Sequence, residues 1–370
     1  MLKRLSLVLA LLVILSLALT GAGLAAEDVQ TAADAYFSGG TQNIKAADLF
    51  DTLNDGDPSN DPYIVDLRSP EDYELAHVPG AVNMSVKKLF TPEGMAMLPA
   101  DQPIVTYCYT GQTSSQATSA LNMLGYEAKS MLYGFPSWAY VDGLTGSKPF
   151  DRAVDGNDYK VSEEAMMADG SFDMPGPLDA SVMGAAEAYF VNGTKNTSAS
   201  ALFENLNDGD ASNDPFLIDV RSADDYAVGH IPGAVNMSAK ELFTAENLAK
   251  IPTGQPVVVN CYSGQTASQV TSALNMLGYD ASNLKFGFAS WSPSGTYSFN
   301  VADSPNYRWE GTGEGAAPAV EAAPAVEAAP AAQEVPAALP ATGGVPFDFT
   351  WVYLLVGSGL LGTGLYLRRR

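Results

Sequence analysis

The chain has 370 residues, 46% of them apolar and 10% aromatic, which is room and material for two or three packed domains. Its 42 Asp and Glu against 19 Lys and Arg leave a net charge of −23. So negative a surface repels nucleic acid and anionic lipid, which makes both poor partners, and its plain reading is solubility or a salty habitat.

In chain order, residues 1–26 read as a signal peptide: Lys3 and Arg4, an apolar run from Leu5 to Leu19, then small residues suited to a signal peptidase. A retained membrane anchor is the alternative, and either places the body outside the cytoplasm. Residues 27–152 form a first domain. Tyr63-Ile64-Val65-Asp66-Leu67 is a short apolar run after a turn-rich stretch and predicts a buried strand. Ser69-Pro70-Glu71-Asp72 opens a helix, with Ser at the cap, Pro at the first position and acids in the first turn. Pro79-Gly80 is a turn, residues 81–84 a short strand, and Pro103 to Tyr107 a second buried strand ending at Cys108. Ala117, Ala120, Leu121 and Leu124 then share one face of an amphipathic helix that stops near Gly125. Strands alternating with helices predict an α/β domain with a mainly parallel sheet flanked by helices.

Residues 153–182, rich in Asp, Gly, Met and Pro, have no clear period and read as a linker; residues 183–310 form a second domain. Residues 311–338 repeat Ala-Ala-Pro-Ala-Val-Glu and predict an extended, semi-rigid stalk. Leu339-Pro340-Ala341-Thr342-Gly343 follows, then an apolar stretch over 349–367 long enough to span a bilayer, then Arg368, Arg369 and Arg370. That order resembles the LPxTG sorting signal of sortase substrates, which implies cleavage between Thr342 and Gly343 and anchoring at the cell surface. A plain C-terminal membrane anchor accounts for the span equally well.

The two domains are copies of one another. Asp66-Leu67-Arg68-Ser69 returns as Asp219-Val220-Arg221-Ser222, His77 to Ser85 as His230 to Ser238, and Cys108-Tyr109-Thr110-Gly111-Gln112-Thr113 as Cys261-Tyr262-Ser263-Gly264-Gln265-Thr266. Every pair is separated by the same 153 positions. Two cysteines in an exported chain invite a disulfide, but their equivalent places give each a task within its own domain.

Each cysteine stands between a strand and a helix, where open α/β sheets bind ligands. Gly111 and Gly264 let the loop curl, so that several N–H groups and the helix N-terminus aim at one point. A sulfur there is expected to have its thiolate stabilised and its pKa lowered. A small buried hydrophobe is the bland reading of a lone Cys, and the position, the glycine and the duplication argue against it.

The strand end, the His-Val-Pro-Gly-Ala turn and the six-residue loop together resemble the rhodanese family, over most of residues 35–140 and 188–293. The resemblance implies two tandem rhodanese-like domains that transfer sulfane sulfur, with Cys108 and Cys261 as catalytic nucleophiles. Tyr109, Thr110, Gly111, Gln112 and Thr113, with Tyr262, Ser263, Gly264, Gln265 and Thr266, are then the substrate-binding loops. It implies a small sulfane donor (thiosulfate, a persulfide or a polysulfide), a thiol or cyanide acceptor, and no cofactor or metal. Two departures stand out. Neither loop carries the Arg or Lys that holds an anionic donor in many members, and both copies keep the cysteine. A noncatalytic surface module built on the same fold is the competing reading.

Other chemistries fit poorly. Ser114 and Ala267 stand where a cysteine phosphatase has its Arg, there is no Cys-x-x-Cys, and no zinc-ligand cluster is evident. His77 and His230, inside the turn motif, read as structural ties, as do Asp66, Arg68, Asp219 and Arg221 at the strand ends; Trp138 and Trp291 read as core or site wall. The acidic stretches Asn54–Asp61 and Asn207–Asp214 read as solvated turns, with calcium as a weaker alternative.

Overall fold

The computed structural model describes residues 29–141, 144 and 149–313. The expected signal peptide, nearly all of the stalk, the 339–343 motif and the 349–367 span lie outside them. Among the described residues no helix is long and apolar enough to cross a membrane.

Each domain is built on a five-stranded sheet. The first contains β1 (Asn43–Ile44), β2 (Tyr63–Asp66), β3 (Val82–Asn83), β4 (Ile104–Tyr107) and β5 (Ala128–Met131), in the order β1-β5-β4-β2-β3. The second repeats this with β6 (Asn196–Thr197), β7 (Phe216–Asp219), β8 (Val235–Asn236), β9 (Val257–Asn260) and β10 (Ala281–Leu284). Every pairing is parallel. That explains why the central strands read as unbroken apolar runs rather than alternating ones: both faces are covered. The chain leaves β2 toward β3 and leaves β4 toward β5, in opposite directions. The crevice between the carboxyl ends of β2 and β4 is therefore the switch point where such sheets place their ligands.

Local chemistry sets the helix starts. Ser69 caps Pro70–Leu75 by accepting the Asp72 N–H, and Ser222 caps Ala223–Val228 by accepting that of Asp225. Trp138 and Trp291 are almost wholly buried and anchor the outer cores. The His77 ring stacks on Tyr73 with Nδ1 2.7 Å from its carbonyl, and His230 does the same with Tyr226 at 2.8 Å. Both histidines thus tie the turn to the preceding helix. In the acidic stretches, Asp55 and Asp57, and likewise Asp208 and Asp210, accept N–H bonds from their own turns. No metal-binding cluster of His, Cys, Asp or Glu is found among the described residues.

The halves pack about a pseudo-twofold axis through helices Gln112–Met123 and Gln265–Met276. Ser119 and Ser272, equivalent residues, meet there with hydroxyls 2.6 Å apart. The sequence predicts one apolar face on each of these helices. In fact Ser114, Ser115, Gln116, Thr118 and Ser119 are buried too, because the polar face packs on the other copy.

The contacts are reciprocal. Phe37 stacks on Phe243, and its counterpart Phe190 on Phe90. Tyr36 donates its hydroxyl to Gln269 Oε1 and Tyr189 to Gln116 Oε1. The C-terminal arm of each repeat also crosses over. Tyr159 stacks on Phe203 of domain 2, and the carbonyl of Lys160 accepts the Trp291 indole N–H at 3.0 Å. Tyr307 stacks on Phe50 of domain 1, and the carbonyl of Arg308 accepts that of Trp138 at 2.9 Å. Ser162 pairs with His230 and Glu310 with His77 through paired backbone bonds. The linker expected over 153–182 is therefore in part an arm laid along domain 2.

Candidate active site: two cysteine cradles

Cys108 follows β4 and Cys261 follows β9, each at the carboxyl end of its sheet's central strand and each 3% exposed. The next residues curl into the first turn of the following helix. Gly111 and Gly264 stand at its N-cap with φ of 81° and 84°, a conformation that only glycine adopts without strain. The curl directs main-chain N–H groups at the sulfur. Ser114 donates to Cys108 Sγ at 3.4 Å, and Gly264 and Ala267 donate to Cys261 Sγ at 3.1 and 3.4 Å. The amide of Ser263 also faces Cys261.

Ser114 and Ala267 are the donors that the sequence reading passed over. They belong to the helix's first turn, whose N–H groups have no intrahelical acceptor, and that rule alone could have found them. Several loop side chains, by contrast, have partners away from the sulfur. Tyr109 donates to Asp72 at 2.7 Å and accepts the N–H of Ser69; Tyr262 does the same with Asp225 and Ser222. Thr110 accepts from Gln112 at 3.2 Å, and Thr113 reaches Thr194 of the other domain at 3.4 Å. The Ser263 side chain is half-buried, and Thr266 occupies the same place in its loop as Thr113. The donors that face the sulfur are backbone groups, and Tyr109 and Tyr262 tie their loops to the preceding helix.

Behind each cysteine lies a second wall. Tyr133 and Phe286 sit at φ of 66° and 64°, which is unusual for non-glycine residues. Gly134 and Gly287 follow. A Cβ on Gly134 would come within 2.3 Å of the Cys108 carbonyl oxygen, and one on Gly287 within 2.4 Å of that of Cys261. Phe135 and Phe288 then donate their N–H groups to those two carbonyls at 2.8 and 2.7 Å. On the β2 side, Arg68 grips Asp66 through Nε and Nη2 and donates to the Ala76 carbonyl at 2.6 Å, over the face of Phe135. Arg221 repeats this with Asp219, the Gly229 carbonyl and Phe288. Both pairs are buried, so they brace the crevice as structural ties.

The electrostatics correct one expectation. Burial pushes the Cys261 thiol up from its ordinary value, and the amides of Ala267, Ser263 and Gly264 oppose that rise without cancelling it; Asp219 adds to it. Desolvation wins because the pocket is closed around a neutral thiol. At Cys261 the amide cradle is present, but it works against burial, which raises the thiol.

The two mouths share an aromatic surround. Tyr133 packs against Tyr297 and Phe299, and Phe150 against Tyr297 and Phe286. The Tyr297 hydroxyl is pushed far up, chiefly by burial, with smaller contributions from Tyr133, Asp155 and both cysteine sulfurs. A cavity of about 760 Å³ adjoins this cluster, lined in part by Phe150, Arg152, Lys285, Phe286 and Tyr297. Arg152 already donates to the carbonyls of Ala289, Ser292 and Gly295. Lys285 Nζ lies 4.8 Å from the centre of the Phe286 ring. The equivalent residue of domain 1 is Leu132.

A duplicated parallel sheet with a glycine-turned cysteine loop at each switch point agrees with the comparison to known families. The model for the Rhodanese-like domain matches residues 45–140 and 198–294, more than half of the chain. The chain belongs to the rhodanese family.

Among its relatives is the probable adenylyltransferase/sulfurtransferase MoeZ of Mycobacterium tuberculosis, 32% identical over 77 residues that make up 20% of either chain. Another is the thiosulfate sulfurtransferase GlpE of Pseudoalteromonas translucida, 37% identical over 79 residues, which are 21% of this chain and 73% of the relative. The chain thus spans about a fifth of the mycobacterial protein's length. A crystal structure of thiosulfate sulfurtransferase from Pseudomonas aeruginosa aligns with 72% of this rhodanese chain and 46% of its own, at 18% identity and a TM-score of 0.26.

Proposed function

We propose that this tandem rhodanese is an extracytoplasmic sulfurtransferase that carries sulfane sulfur on Cys108 and Cys261. The observation that carries the reading is the cradle itself: in both domains main-chain N–H groups point at a cysteine sulfur held at the switch point of the sheet. An S–H sulfur asks little of such donors, whereas an ionised sulfur or a terminal persulfide gains from each of them. Such stabilisation is worth most where burial otherwise opposes the charge, as at Cys261.

The chemistry balances simply. The cysteine thiolate attacks the outer sulfur of thiosulfate, the S–S bond of the donor breaks, and its electron pair leaves with sulfite. An acceptor thiolate or cyanide then attacks the terminal sulfur of the cysteine persulfide, and the cysteine leaves as thiolate. A neutral persulfide or polysulfide donor suits these loops better than thiosulfate, because no loop side chain is cationic and the chain is strongly acidic. The placement outside the cytoplasm and the surface anchor, by sortase or by a retained span, rest on the terminal sequence motifs.

A noncatalytic binding role is the second reading, favoured by the near-complete burial of both thiols. Incubation with thiosulfate, polysulfide or an organic persulfide, followed by intact-protein mass spectrometry, separates the two. Catalysis predicts a gain of one sulfur at each cysteine, absent in Cys108→Ser or Cys261→Ser at the substituted site and discharged by a thiol. No adduct with any of the three donors would leave only the binding role.

A further inference from the structure

The two cradles are built jointly. Gln112 belongs to the loop of Cys108, yet its side chain crosses to domain 2, where its Oε1 accepts the main-chain N–H of Phe286 at 3.2 Å. Gln265, from the loop of Cys261, crosses the other way and accepts the N–H of Tyr133 at 3.2 Å. A main-chain N–H can only donate, so the oxygen of each amide must face it. Both side chains are almost fully buried. Each also lies against the other loop's N-cap glycine: a Cβ on Gly111 would come within 2.7 Å of Gln265 Oε1, and one on Gly264 within 2.7 Å of Gln112 Oε1.

The residues so held are the two non-glycine positions in left-handed conformation behind the cysteines. Such a conformation persists only where its surroundings impose it. Phe286 leads directly into Gly287, pressed on the Cys261 carbonyl, and into Phe288, whose N–H that carbonyl accepts. Tyr133, Gly134 and Phe135 repeat the arrangement at Cys108.

We propose that Gln112 and Gln265 are positioning residues that act across the domain interface, Gln112 on the cradle of Cys261 and Gln265 on the cradle of Cys108. Each cysteine site is then complete only with the other domain in place, and the two sites form one mechanically coupled pair. The inference deepens the sulfur-transfer reading, but its geometry concerns thiol positioning alone.

The test therefore follows alkylation of each thiol in the full chain, which needs a reachable thiolate and no sulfur chemistry. Cys261 is read in a Cys108→Ser background and Cys108 in a Cys261→Ser background, across pH, with iodoacetamide. Gln112→Met and Gln265→Met keep the side-chain length and remove the acceptor. Gln265→Met should move the pH profile of Cys108 upward and slow its alkylation at neutral pH by about tenfold, with Cys261 changed less. Gln112→Met should do the reverse. Effects confined to each glutamine's own domain, equal effects on both cysteines, or none would overturn the proposal. Should a Met variant fail to fold, Gln112→Leu and Gln265→Leu remove the same acceptors at similar volume and are read in the same way, with the same cross-domain pattern expected and the same outcomes overturning the proposal. Parallel persulfide measurements show separately whether sulfur transfer occurs.

Discussion

Domain 1 and domain 2 put the same cysteine on the same strand, but different residues stand beneath it. In domain 1 it is Tyr107, fully buried, donating its hydroxyl to Asp66 at 2.6 Å and accepting the N–H of Val78 at 3.1 Å. In domain 2 it is Asn260, also buried, whose side-chain nitrogen and oxygen have no partner. The floor of the first site is a hydrogen-bond chain from Tyr107 through Asp66 to Arg68, whose Nη1 alone goes unmet, and Asn260 beneath the second carries two unmet polar groups, a cost of about 1–3 kcal/mol each. The mouths differ too: Lys285 adjoins the second and Leu132 takes its place at the first. The duplication has kept the amide cradle twice and let its supports diverge.

The sharpest way to break the comparison is at the wall behind each cysteine. Gly134→Ala sets a Cβ against the Cys108 carbonyl at a φ of +68°, so we expect a loss of about 3 kcal/mol in urea denaturation and of most Cys108 reactivity. Gly287→Ala should strike Cys261 in the same way; equal loss at both thiols from either change would mean the walls are not separate. The floors should respond with opposite signs. Tyr107→Phe strands Val78 N–H and should cost about 1–2 kcal/mol, whereas Asn260→Leu removes two stranded groups and should be neutral or stabilise by about 1 kcal/mol, both read from denaturation midpoints.

A smaller effect concerns pH. The Cys261 thiol titrates above its ordinary 9.0, so the folded state holds its proton longer than the unfolded one. Its contribution to stability is complete below pH 9 and is lost as the pH rises through the folded value. Alkylation of Cys261 should accordingly still be climbing at pH 9, and a plateau near neutrality would contradict the buried-thiol picture. The smallest change is Lys285→Leu, which copies domain 1. It should lower the rate with thiosulfate at Cys261 by about two- to threefold at low salt and leave an uncharged dialkyl polysulfide unaffected.

Much of this was legible in the sequence. The blocks around Asp66, His77 and Cys108 recur at a constant shift, and the Ser-Pro start and the apolar runs are local signals that tertiary packing reinforced. The exchange was not legible. Tyr159-Lys160 and Tyr307-Arg308 match each other only at a different shift from the rest, and nothing local says on which domain an arm lies. The polar face of Gln112–Met123 reads as solvent-facing because its partner is a second polar face of the same composition. The upward shift of the Cys261 thiol escaped prediction for a related reason. The loop's amides can be read from its glycine, but burial is a property of the whole assembled mouth.

The crossing of the last arm reroutes the end of the chain. Residues 307–310 clasp domain 1, and Thr312 and Gly313 donate to the carbonyls of Glu74 and Leu75, so the polypeptide departs beside domain 1 although it was last built from domain 2. If the protein is tethered by its C-terminus, tension enters through that short ladder. The first structure to yield would then be the clasp over His77 and Trp138, far along the sequence from the point of attachment.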